Sequence, residues 1–131
     1  MPQEKTQIVC NDIYKPFGNY SHGVLNQQTG LLVTSGQLGI RKDGSIPDTF
    51  LGQTKVCFSN LKMILEEANF TIHDIMRINA FVTMRENFKD YMNERDNFLV
   101  ETKIKPASTL VVVTGFTKAE FLVEVELTAQ K

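Results

Sequence analysis

Two short stretches constrain the architecture of this chain more than any others, because both are apolar on the two sides that a strand presents. Successive side chains of a strand point to opposite faces. Within the strand-like run 75–83, Ile78, Ala80 and Val82 share one side while Phe81 occupies the other. The run Leu110, Val111, Val112, Val113 is apolar on both sides as well. An antiparallel sheet with one face in water alternates more cleanly. Only two helices are available elsewhere in the sequence, enough for one face. The second face is therefore expected to be buried against other copies of the chain, since large exposed apolar patches are uncommon on monomers. The alternative is that long loops fold over it.

The remaining periodicity orders the elements. Strands are expected at 6–10, near 21–25 and near 31–36, the latter two joined as a hairpin through the Asn-Gln-Gln-Thr-Gly turn at 26–30. A helix is expected to open at Asp48 or Thr49, either of which can serve as N-cap. Leu51, Thr54, Phe58, Leu61, Leu65 and Ala68 recur at three- and four-residue spacing on one face, and Asn69 suits a left-handed C-terminal position. Thr83 and Glu86 have the spacing of a capping box for a second helix, with Phe88, Tyr91, Met92, Phe98 and Leu99 as its apolar face. Strands at 109–113 and 121–127 complete the order. The result is an α+β fold with one sheet and two helices. No repeat, linker or low-complexity segment interrupts it, so residues 1–131 read as one domain.

Composition excludes several classes. Fourteen basic and fifteen acidic residues give a net charge of -1, without the basic stripe that nucleic-acid binding needs. Cys10 and Cys57 are isolated thiols with no CxxC or Cys/His cluster, as in a reducing compartment. The polar N-terminus, Met-Pro-Gln-Glu-Lys-Thr, is no signal peptide, and no run reaches the roughly 20 apolar residues of a membrane span. These features point to a cytoplasmic location. His22 and His73 are too far apart to form a metal motif, although His22 shares a strand face with Tyr20.

Six local patterns occur in one order along the chain: Gly18-Asn19-Tyr20-Ser21; Val33-Thr34-Ser35-Gly36-Gln37; Asn60 to Ala68 followed by Ile78 to Val82; Phe88 to Asn93; Lys105-Pro106-Ala107-Ser108; and Val123-Glu124-Val125-Glu126. Together they resemble the YjgF/Rid (reactive intermediate deaminase) family, also called the endoribonuclease L-PSP family. The resemblance implies a chorismate-mutase-like fold, with one mixed six-stranded sheet and two helices on one face, assembled as a homotrimer. It further implies small-molecule clefts between subunits and hydrolysis of enamines and imines to 2-keto acids and ammonia, without metal or organic cofactor. Glu124 falls where the family places the acid that orients the hydrolytic water. Tyr20, Ser35, Gly36, Asn93 and Ser108 fall at its ligand-binding positions.

One position departs from the pattern. The family carries an arginine immediately after Pro-Ala, where this chain has Ser108. An arginine pairs both oxygens of a substrate carboxylate, whereas a hydroxyl offers one neutral bond. Losing that pair weakens carboxylate binding by roughly 2–4 kcal/mol. Lys103, Lys105, Lys118 and Arg41 are the other cations weighed as replacements. Three functions follow: a cofactor-free imine hydrolase of altered specificity, a non-catalytic ligand-binding or regulatory protein, and, with least support, an endoribonuclease or translation inhibitor.

Overall fold

In the computed structural model, which describes residues 4–131, β1 (Lys5–Ile8) runs antiparallel to β2 (Gly23–Asn26). The polar N-terminal reading falls partly on residues 1–3, which lie outside the described residues. Asn26 closes the hairpin to β3 (Leu31–Thr34): its Oδ1 accepts the amide protons of Gln28 at 3.0 Å and Thr29 at 3.1 Å. Gly30 completes the turn at φ +74°, a conformation that favours glycine.

The strand expected at 31–36 breaks at Ser35-Gly36 and resumes as β4 (Gln37–Leu38). Both pieces lie along β7 (Val123–Gln130), β3 against its end and β4 against Glu124 and Val125. They therefore share one place across the sheet. The order is β1-β2-β3-β7-β5-β6, with β5 (Ile75–Val82) antiparallel to β7 and parallel to β6 (Ala107–Val112). Seven segments thus fill six positions of a mixed sheet.

Helix α1 (Phe50–Glu67) opens at Thr49, whose Oγ1 accepts the Gly52 amide proton at 3.0 Å. It is followed by Asn69 at φ +63°, the left-handed position expected. Thr54, Phe58, Leu61, Leu65 and Ala68 are buried as expected, but Leu51 is not. Phe50, four residues before Thr54, continues the inner stripe instead, and Leu51 falls beside it in solvent. Helix α2 (Phe88–Phe98) is entered through a 3-10 turn at Arg85–Asn87, without a side-chain cap. The Thr83/Glu86 capping box does not form, because the Thr83 amide donates to the Leu122 carbonyl and extends the sheet. A capping box appears instead at Thr71 and Asp74, opening the 3-10 turn Ile72–Asp74. On α2, Tyr91 and the adjoining Leu99 are buried, whereas Met92 faces outward.

Both helices pack on one face of the sheet, over Leu32, Ile78, Val82, Val123, Val125 and Leu127. Fully burying such side chains contributes about 1.5–3 kcal/mol each. Among the described residues, loops cover one end of the opposite face, where Leu38, Ile40 and Phe121 cluster with Tyr14, Ile46 and Phe116. Elsewhere on that face Val33 and Val111 are 42% and 39% exposed, with Phe81 half-buried beside them. Among the described residues no helix is long and apolar enough to cross a membrane.

Candidate functional site

Strict alternation sets the aim of Glu124. Val123, Val125 and Leu127 are buried under the helices, so Glu124 and Glu126 project from the other face. Gln53 of α1 holds the start of this strand in place. Its Nε2 donates to the carbonyls of Pro47 and Glu120 at 3.0 and 2.8 Å, and its Oε1 accepts the Leu122 amide proton at 2.9 Å. Gly39 lies so close that a Cβ there would meet the Gln53 Cβ at 2.4 Å. One buried amide side chain therefore ties α1, the loop before it and β7 together.

Glu124 opens into a hollow of about 280 Å³ whose walls include Tyr14, Phe17, Tyr20, Gly36, Thr117 and His22. Gly36 is pressed against the carboxylate, so that a Cβ there would come within 2.6 Å of the Glu124 Cδ. This explains a glycine at the break between β3 and β4 better than turn flexibility does. Burial, and then the neighbouring charge of Glu126, raises the Glu124 pKa above its ordinary value. Asn79 donates to Glu126 from the adjoining strand at 3.2 Å. The Tyr20 hydroxyl accepts the Phe17 amide proton at 3.1 Å, which leaves its own proton available to a ligand.

The expected ligand-binding positions separate into four groups. Tyr20 and Gly36 join Glu124 in one hollow. Ser35 lies beside it but donates its hydroxyl proton to the Ser21 carbonyl at 2.6 Å, while its amide donates to the His22 carbonyl. It braces the β2–β3 end. Asn93 is exposed on α2 and lines no part of this hollow. Ser108 lies on the helix side of β6, in register with Ile78, and so on the opposite face of the sheet from Glu124. Within one chain Ser108 and Glu124 do not share a cleft.

His22 is buried, and both ring nitrogens are engaged. Nδ1 accepts the Cys10 amide proton at 2.9 Å, so Nε2 carries the hydrogen that it gives to the Tyr14 carbonyl at 2.9 Å. The ring clips the 10–14 loop that roofs the hollow. The strand face expected to hold both His22 and Tyr20 does not form, since β2 begins at Gly23; both residues border the hollow, and the bonds His22 makes there are structural.

Among the cations weighed as replacements for the arginine, Lys105 is fully engaged. Its Nζ donates to the Leu99 carbonyl, the Thr102 carbonyl and the Thr102 hydroxyl, closing the end of α2. Arg41 bonds Ser45 in its own loop. Arg95, which is not among those cations, is the one at this position: its Nη1 donates to the Ser108 Oγ at 3.3 Å. A signal for it existed: Tyr91, Arg95 and Leu99 are spaced by four along α2, so Arg95 interrupts that helix's buried stripe.

Comparison with known proteins gives a consistent picture. Residues 10–131 match the family described as Endoribonuclease L-PSP. A RutC family protein of Aquifex aeolicus is 32% identical over 118 residues, covering 88% of this chain and 91% of that one. The solved structure of a Rid family protein, YyfA of Yersinia pestis, superposes with a TM-score of 0.89 at 27% identity, covering 97% and 99% of the two chains. The YjgF gene product of E. coli superposes with a TM-score of 0.87 at 25% identity, covering 96% and 98%.

Proposed function

Because this chain belongs to the endoribonuclease L-PSP family, also known as YjgF/Rid, we propose that it is a cofactor-free hydrolase of small imines and enamines, working in clefts between the subunits of a homotrimer. The observation that carries this reading is Glu124, a half-buried carboxylate with a raised pKa in a hollow lined by Tyr20 and Gly36. Imine hydrolysis adds water across a C=N bond, and the resulting carbinolamine then collapses to a carbonyl and ammonia. A single base serves both steps if it takes a proton from water and returns it to the departing nitrogen. A carboxylate whose pKa is raised suits both tasks better than an ordinary one, which is a weaker base. Tyr20 supplies a hydroxyl proton for the ligand, and Gly36 leaves room for the carboxylate.

The homotrimer rests on the uncovered apolar residues Val33, Phe81 and Val111, together with the separation of Glu124 from Ser108. A second copy would cover the former and bring the latter into one cleft. Mass measurement at micromolar concentration is expected to give a trimer, and a monomer would remove this part of the reading. The buried unpaired thiols Cys10 and Cys57 favour a reducing, cytoplasmic setting.

The test of activity is ammonia and pyruvate release from freshly generated 2-aminoacrylate and iminopropionate. Wild-type protein is expected to accelerate it, and Glu124→Gln to lower the rate by about 100-fold. No acceleration by wild type would leave the non-catalytic, ligand-binding reading. The ribonuclease activity in the family's name gains nothing from a chain of net charge -1.

A further inference from the structure

The hydrolase reading above leaves open what holds the substrate's carboxylate when Ser108 stands after Pro106-Ala107. Resting on that reading's substrate class, we propose that Arg95 of α2 is the anion-binding residue, that Ser108 positions its guanidinium, and that the ligand is a small monocarboxylate such as a 2-keto or 2-imino acid. The cation has moved from the strand to the helix that packs beside it.

Three observations support the assignment. The first is reach: Arg95 spans from α2 to β6, with Nη1 donating to the Ser108 Oγ at 3.3 Å. A short hydroxyl at position 108 makes room for a guanidinium that a second arginine there would repel. The second is setting. Arg95 borders an open hollow of about 530 Å³, with Leu99, Val100 and Pro106 as apolar walls. Its side chain is 23% exposed, which partly desolvates the charge while leaving it accessible. The third is available donors. A guanidinium has five N–H groups. Nε and Nη2 each give one to Asp96 Oδ1 at 3.1 Å, and Nη1 gives one to Ser108. One donor remains on each terminal nitrogen, the number that a carboxylate accepts from an arginine fork.

Asp96 is the internal competitor. It is the next residue in the chain and its side chain is 66% exposed, so the pair is screened by water and readily exchanged for an incoming carboxylate. Lys105 borders the same hollow, but its ammonium is occupied at the end of α2. Arg77 is the nearest rival: it bonds the Thr109 hydroxyl at 3.0 Å, and Thr109 adjoins Ser108 but points to the other face of the sheet.

The test is titration of the full-length protein with pyruvate, and with methyl pyruvate as its uncharged counterpart, followed by calorimetry and by amide shifts. Pyruvate is expected to bind at least tenfold more tightly than methyl pyruvate, with shifts at Arg95 and Ser108. Arg95→Gln should weaken pyruvate binding about tenfold or more, with Arg95→Lys intermediate because it keeps charge without the planar fork. Asp96→Asn should tighten binding severalfold, an effect that a purely structural Arg95 would not produce. Circular dichroism establishes that each variant is folded. The proposal is overturned if wild type does not bind pyruvate, if folded Arg95→Gln binds it as wild type does, or if Arg77→Gln abolishes binding while Arg95→Gln does not. The two readings fail separately. Hydrolysis of iminopropionate with an unchanged KM in Arg95→Gln removes the arginine and keeps the hydrolase. Arg95-dependent pyruvate binding without hydrolysis keeps the arginine and removes the hydrolase.

Discussion

The carboxylate of Glu124 and the guanidinium of Arg95 both open into hollows, yet the fold supports them in contrasting ways. Around Glu124 the scaffold is buried and polar: Gln53 makes three bonds to backbone, His22 makes two, and Gly36 fits against the carboxylate. Around Arg95 the contacts are side chain to side chain, to an exposed Asp96 and an exposed Ser108. A group that must exchange protons needs a fixed, desolvated setting that shifts its pKa. A group that must bind and release an anion works better with contacts that water can replace.

The contrast can be broken most severely at Gln53. Gln53→Leu leaves three backbone groups of the Glu124 scaffold unpaired, and is expected to lower stability by about 3 kcal/mol, read from urea unfolding. If the loss is under about 1 kcal/mol, the scaffold is less rigid than its bonds suggest. Gly36→Ala is a milder, more local test. Its methyl displaces the end of a flexible side chain, so kcat for imine hydrolysis should fall about tenfold with the melting temperature nearly unchanged. An equal loss of stability would mean that Gly36 serves the strand break and not the carboxylate.

The smallest expected effect sharpens the electrostatic side. Activity should rise with pH through an apparent pKa above the ordinary carboxylate value, and Glu126→Gln should move that midpoint down by removing the neighbouring charge. The sign for stability follows from linkage. With the Glu124 pKa raised in the folded state, the native protein binds the extra proton between the unfolded and folded values, and stability falls as pH rises through that window. Glu124→Gln should therefore be at least as stable as wild type at neutral pH. An unshifted pH profile in Glu126→Gln would show that burial alone sets the Glu124 pKa.

Much of the fold was legible in the chain because its cues are local. The Asn26–Gly30 turn, the Thr49 cap and the left-handed Asn69 each depend on residues within a few positions. The failures were local cues overruled from a distance. Thr83 had the spacing of a cap, but its amide found the Leu122 carbonyl across the sheet. Leu51 had the spacing of a core residue, but the inner stripe of α1 begins one residue earlier, at Phe50. Ser35 falls at a ligand-binding position of the family pattern, and its hydroxyl proton goes to the Ser21 carbonyl just before β2.

By itself, the sequence determined the family, the order of elements, the side of the last strand from which Glu124 projects, and the absence of an arginine at position 108. Each follows from spacing along the chain. Only the tertiary structure decided that Tyr20, Gly36 and Glu124 meet, that Asn93 stands apart, and that Ser108 lies on the other face of the sheet. It also brought Arg95 against Ser108, thirteen positions away in the chain. Those facts depend on the register of β6 against β5 and on how α2 lies over the sheet. Both are set by packing between distant segments, which local spacing does not encode.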